Sequence, residues 1–123
     1  MHIALNYRSG QPIYEQIEYQ IRSQILCGAL KAGEPLPSIR ALAKGLQVGI
    51  ITAKRAYDDL CAEGFLYSVK GKGVFVAEVE KDVMNAYKTE KIVNMLKEIK
   101  VYAEEHGVDF KLLEELCKQI LGE

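Results

Sequence analysis

Tryptophan is absent, and 123 residues hold only two histidines and three cysteines. His2 and His106 each stand alone, and no CxxC or HxxxH pair offers the spacing of a zinc site. Cys27, Cys61 and Cys117 are odd in number and far apart. That excludes a disulfide framework and fits reduced thiols in a cytoplasm. No apolar run approaches the ~20 residues of a membrane span. The opening "MHIALNYRSG" lacks the basic stretch and apolar core of a secretory signal, so a cytoplasmic location is expected. A phosphate loop, a nucleophile elbow and a carboxylate pair tied to a cleft are also missing. Neither an enzyme nor a cofactor or metal protein is expected from this inventory.

What the chain does have is a core. Apolar residues make up 49% of it, which excludes wholesale disorder. The net charge of −1 is uninformative, but its distribution is not. Residues 1–77 carry 9 Lys+Arg against 6 Asp+Glu, and residues 78–123 carry 7 against 11. A basic front and an acidic back suggest that the first part meets an anionic partner.

In "QPIYEQIEYQIRSQILCGAL", Ile13, Ile17, Ile21 and Ile25 recur every four residues, the stripe of a helix. Pro12 suits its first turn and Gly28 its end. "KAGEPLP" reads as a connector. Ser38 then stands at an N-cap position before "IRALAKGL", whose stripe is Ile39, Leu42, Ala43 and Leu46. "GLQVG" is a tight turn bounded by Gly45 and Gly49. A third helix over about residues 50–62 buries Ala53, Ala56, Tyr57 and Leu60 and stops at Gly64. The period then becomes two: "FLYSV" and "VFVAE" read as strands of a hairpin around "KGKG". Helix, helix, turn, helix, hairpin is a helix-turn-helix with a wing.

The third helix leads with Ile50, Ile51 and Thr52 and then turns basic at Lys54 and Arg55. In a helix-turn-helix, these leading residues face base edges in the major groove. Isoleucine can pack on a thymine methyl, Thr52 can donate or accept, and Lys54 can reach a guanine or a phosphate. Arg40, early in the preceding helix, can brace the DNA backbone or a guanine. Lys70, Gly71 and Lys72 form a hairpin tip able to neutralise phosphates or follow a minor groove. The bland alternative makes Ile50 and Ile51 core and the charges a solvated face; the attached wing favours DNA. Cys61 reads as a small core residue.

The runs "LPSIRALA", "VGIITAKRAY", "LCAEGF" and "GKGVFVA" occur in an order and spacing that resemble the winged-helix domain of the GntR family of bacterial transcriptional regulators. The resemblance covers residues 12–78. The tyrosine of "RAY" and the short tail are similar to its YtrA-like subgroup, which carries only two helices after the winged domain and uses them to dimerise. The resemblance implies DNA contacts from Arg40, Thr52, Lys54, Lys70 and Gly71. The sequence departs from the family at Gly49, Ile50 and Ile51, where polar residues are common, which implies more apolar contact at that end. It also implies a homodimeric repressor on a palindromic operator near its own operon, often one encoding an ABC transporter.

The expected fold is mainly α (α+β): a winged helix-turn-helix domain over residues 1–78, then a two-helix dimerisation segment over 79–123. Ile92, Leu96, Ile99 and Ala103 are spaced as a heptad-like seam, and "EEHG" ends that helix. Asp109 can cap a last helix that offers Leu113, Leu116 and Ile120. Two such helices cannot enclose a core alone. The winged domain or a second copy is expected to cover them, with Ile13 and Ile17 of the first helix contributing in a dimer. Any small-molecule effector would bind there or at the junction with the winged domain, the bland alternative being a fully packed core with no room for one. The competing reading is a winged-helix protein-interaction module without sequence-specific DNA binding.

Overall fold

The structure, a computed structural model, describes residues 1–122. It is mainly helical. Helices α1 (Ile13–Leu26), α2 (Ile39–Leu46) and α3 (Ile50–Ala62) precede an antiparallel hairpin of β1 (Leu66–Val69) and β2 (Gly73–Val76). Helices α4 (Lys81–Glu105) and α5 (Phe110–Leu121) follow. The chain divides into two units after Met84, inside the first turn of α4, whereas the sequence boundary was placed after residue 78.

The four-residue isoleucine repeat of α1 becomes the spine of the first unit. Ile17 and Ile21 are fully buried and Ile25 nearly so, each such side chain contributing about 1.5–3 kcal/mol. α3 faces this stripe with Ala53, Ala56, Tyr57 and Leu60, all buried. The two alanines are small enough to let the helices approach closely. Phe65, Leu66, Val74 and Val76 close the core from the hairpin side.

The segment before α2 is more than a connector. Gly33 donates to the Val76 carbonyl at 2.7 Å, Val76 donates to Glu34 at 2.9 Å, and Leu36 donates to Val74 at 2.9 Å. A short run therefore pairs with the free edge of β2 through an isolated bridge. Pro35, with no N–H to give, sits opposite Phe75 between the bonded positions.

Ser38 caps α2 as expected, its Oγ accepting from Ala41 at 3.0 Å. The turn into α3 differs from expectation. Gly45 lies within α2, and Gly49 caps α3 with an ordinary φ of −68°. The chain reverses at Gln47, which takes the left-handed conformation at φ 57° and ψ 44°.

The N-terminal segment is tied to α1 by side chains rather than by a sheet. Gln16, Gln20 and Gln24 lie one helical turn apart and face Asn6, Ala4 and His2, which alternate along extended chain. A carboxamide carries one acceptor and donors, so it can satisfy both the N–H and the C=O of one residue. Gln20 does this for Ala4 at 2.8 and 2.7 Å, and Gln16 for Asn6 at 2.8 and 2.9 Å.

In the second unit, Gly107 (φ 70°) ends the α4 region, Val108 donates to Ala103 at 2.9 Å, and Asp109 caps α5 by accepting from Leu112 at 2.8 Å. Ala103 is buried. Ile92, Leu96, Ile99, Leu116 and Ile120 are exposed, and Leu113 is half-buried. The expected help from the first helix needs correction. Ile17 is wholly enclosed within the first unit and has no surface left for another chain, while Ile13 remains half-buried. No described helix is long and apolar enough to cross a membrane.

Candidate nucleic-acid interface

α3 divides cleanly by its 3.6-residue period. One face is core; the opposite face carries Ile51, Lys54, Arg55 and Asp58, all exposed. Ile50 is 53% exposed and Ile51 84%, so neither is core. Thr52 is half-buried on the flank. Gly49 gives the helix start no side-chain cap.

The basic side chains of this face are engaged along the helix. Lys54 Nζ lies 2.5 Å from Asp58 Oδ2, one turn on. Both are well exposed, so the pair contributes only about 0–1 kcal/mol and yields readily to a phosphate or base. Arg55 Nε lies 3.8 Å from Asp59, and its guanidinium sits 3.7 Å over the Tyr14 ring of α1. Sequence reading missed Tyr14 and Asp59, because the Tyr14 contact joins two distant elements and no local pattern announces it.

Asp59 has a second neighbour. Glu18 of α1 is buried, and its carboxyl is pushed up to about 8 by that burial, by a hydrogen bond to Asp59, and by the charges of Asp59 and Glu63. Arg22 pulls the other way, and lies 2.7 Å from Glu63 and 4.0 Å from Glu18. Burial and the neighbouring carboxylates thus favour the protonated form of Glu18.

Arg40 is exposed in the first turn of α2, two residues past the Ser38 cap. Its helix is anchored from α3. Tyr57 is buried, and its hydroxyl donates to the Pro37 carbonyl at 2.7 Å. Burial raises the Tyr57 phenol above its ordinary value, so it stays a donor. Cys61 is half-buried rather than core, its thiol raised by burial and then by Asp58.

In the hairpin, Lys70, Gly71 and Lys72 are exposed at the tip, with Gly71 at φ 80° and Lys72 donating to Val69 at 2.9 Å. Tyr67 and Phe75 stack on its outer face at 5.5 Å and stiffen it. α2 packs on α3, and α3 runs through Gly64 into β1, so all the expected contact residues are carried by the one packed unit. Among the described residues, no group of His, Cys, Asp or Glu could hold a metal.

Residues 13–76 match the family model of bacterial regulatory proteins, gntR family. The chain is 35% identical over 118 residues to the HTH-type transcriptional repressor YtrA of Bacillus subtilis (strain 168), covering 96% of this chain and 91% of that protein. A transcriptional regulator from Oenococcus oeni shares the fold with a TM-score of 0.83 at 24% identity, over 96% of this chain and 98% of that one. AraR(DBD), solved in complex with operator ORX1, aligns at 30% identity with a TM-score of 0.56, over 63% of this chain and 99% of that one. With a winged helix-turn-helix built around an exposed α3 and a basic hairpin tip, the chain belongs to the GntR family and is a DNA-binding transcriptional regulator rather than an enzyme.

Proposed function

We propose that the protein is a dimeric repressor that reads a two-fold symmetric operator. The observation that carries this is Ile51, 84% exposed at the leading end of α3 beside Lys54 and Arg55. A large apolar residue held out by a rigid helix among cations suits a major groove, where thymine methyls and phosphates alternate within reach. Ile50, Ile51, Thr52 and Lys54 read the groove, Arg40 and Arg55 brace the backbone, and Lys70, Gly71 and Lys72 follow the adjacent groove. Repression is supported by the name of the Bacillus subtilis relative, which matches this chain over nearly its whole length. A target in the protein's own operon, of transporter type, follows from the subgroup resemblance alone.

Residues 79–123 supply the dimer contact. Ile92, Leu96 and Ile99 leave one stripe uncovered on α4, and Leu116 and Ile120 another on α5. A second copy of the same segment buries both, as an isologous interface does. Recognition helices then sit about one DNA turn apart, roughly 34–36 Å, or a multiple of it. A small-molecule effector, if the system has one, acts in this segment by changing that spacing.

The test is duplex binding by the full chain across a salt series, with operator sequences selected from random DNA. Recovered sites should be palindromic and binding should fall steeply with salt. Leu96→Glu should leave the first unit folded, give a monomer in sedimentation and lose most operator affinity. Full-strength dimers and binding from Leu96→Glu would move the interface elsewhere. Salt-independent binding, or none, would sink the DNA reading.

A further inference from the structure

Arg55 lies exposed on the outward face of α3, one turn beyond Ile51, yet its guanidinium has partners within the protein. It sits 3.7 Å above the centre of the Tyr14 ring, and its Nε is turned to Asp59. A freely rotating arginine must surrender much of its side-chain entropy to hold one phosphate. Here that freedom is already restricted before DNA arrives. Tyr14 is itself half-buried in the first turn of α1, a helix fixed by the deepest part of the core. Its hydroxyl has only a long 3.4 Å contact to the neighbouring Glu15, so the geometry uses the ring and not the phenol oxygen.

We propose that Tyr14 is a positioning residue for DNA binding: its ring, together with Asp59, holds the Arg55 guanidinium in place so that it meets an operator phosphate already oriented. The inference rests on the DNA-binding reading above and adds to it a residue outside the helix-turn-helix. Stacking uses the face of the guanidinium and leaves its edge, where the N–H donors lie, for a phosphate. Two elements therefore meet at one cation: α1 supplies the ring beneath it and α3 carries it.

A stack that merely staples α1 to α3 would affect stability alone, so the test separates the two. The full chain is titrated with the tightest duplex recovered from a random pool and with a scrambled duplex of equal length, over a salt series; the melting temperature of each variant is recorded. Arg55→Ala should weaken binding to both duplexes alike and lower the salt slope by about one. Tyr14→Leu should weaken binding several-fold while the slope stays that of the wild type, since the charge is still there but no longer held. Tyr14→Phe should bind as the wild type does. Tyr14→Leu combined with Arg55→Ala should bind no worse than Arg55→Ala alone. Independent, multiplying losses, or a Tyr14→Leu effect confined to melting temperature, would overturn the positioning role. A wild-type chain that binds with an ordinary salt slope while Arg55→Ala changes nothing would also overturn it, with the DNA reading left standing. A wild-type chain that binds no duplex would remove both.

Discussion

The Tyr57 hydroxyl donates to the Pro37 carbonyl at 2.7 Å, tying the middle of α3 to the residue just before the α2 cap. The bond fixes where α2 begins, and with it Arg40. Tyr57→Phe keeps the buried ring and removes only this bond. It should cost about 1 kcal/mol, seen as a drop of a few degrees in melting temperature. Operator affinity should fall with it at an unchanged salt slope. A variant with wild-type melting and binding would show that packing alone sets the start of α2.

Glu18 gives the first unit a pH dependence of definite sign. Its carboxyl is raised from an ordinary 4.5 to about 8, so between those values the folded chain holds a proton that the unfolded chain has released. Stability therefore falls as pH rises through that window and levels off above about 8. Glu18→Gln should flatten the curve, matching the wild type near pH 4 and exceeding it at pH 9. Denaturant midpoints across pH measure this; parallel curves for the two proteins would show that Glu18 carries no such proton.

Gln47 reverses the chain between α2 and α3 at φ 57°, a conformation glycine adopts without steric cost. Gln47→Gly should stabilise the protein by about 0.5–1 kcal/mol, through relief of left-handed strain. Duplex affinity should not change. A lower melting temperature would mean that the unfolded chain gains more freedom from glycine than the turn loses in strain.

Lys54 is well exposed and paired only with Asp58, so Lys54→Ala should leave melting unchanged. On DNA its effect should be selective, relaxing preference at one base position per half-site by ~1–3 kcal/mol. Selection from random duplexes with both proteins reads this directly. A uniform loss on every sequence would reassign Lys54 to a phosphate.

Local signals were legible in the sequence. Ser38 before an apolar stripe, glycines at 28, 64 and 107, and the change of period after Phe65 each depend on a few adjacent residues, and each stands where the sequence placed it. The exposed Ile50 and Ile51 were legible for the same reason, since they break the stripe of an otherwise regular helix. The misses are long-range or exceptional. The Glu34–Leu36 run pairs with β2 across two intervening helices, and Tyr14 finds Arg55 across the same distance of chain. Gln47 takes a conformation that its residue type disfavours while two glycines stand nearby, so propensity pointed to the wrong residue. The glutamines at 16, 20 and 24 did carry a signal, one amide per helical turn, but its meaning depends on an N-terminal arm whose path sequence periodicity does not show.

That glutamine ladder works as a vernier. Four residues of helix advance about 6.0 Å, whereas two residues of extended chain advance about 6.6–6.8 Å. Each rung is therefore displaced by roughly 0.7 Å from the one before. The drift is visible at the far end. Gln16 and Gln20 bond almost symmetrically, but Gln24 reaches the His2 carbonyl at 2.6 Å and leaves the His2 N–H at 3.3 Å. A fourth rung would fall outside hydrogen-bonding range on one side. Three marks of the two unequal rulers thus give the N-terminal arm its register on α1 with no strand partner to count against.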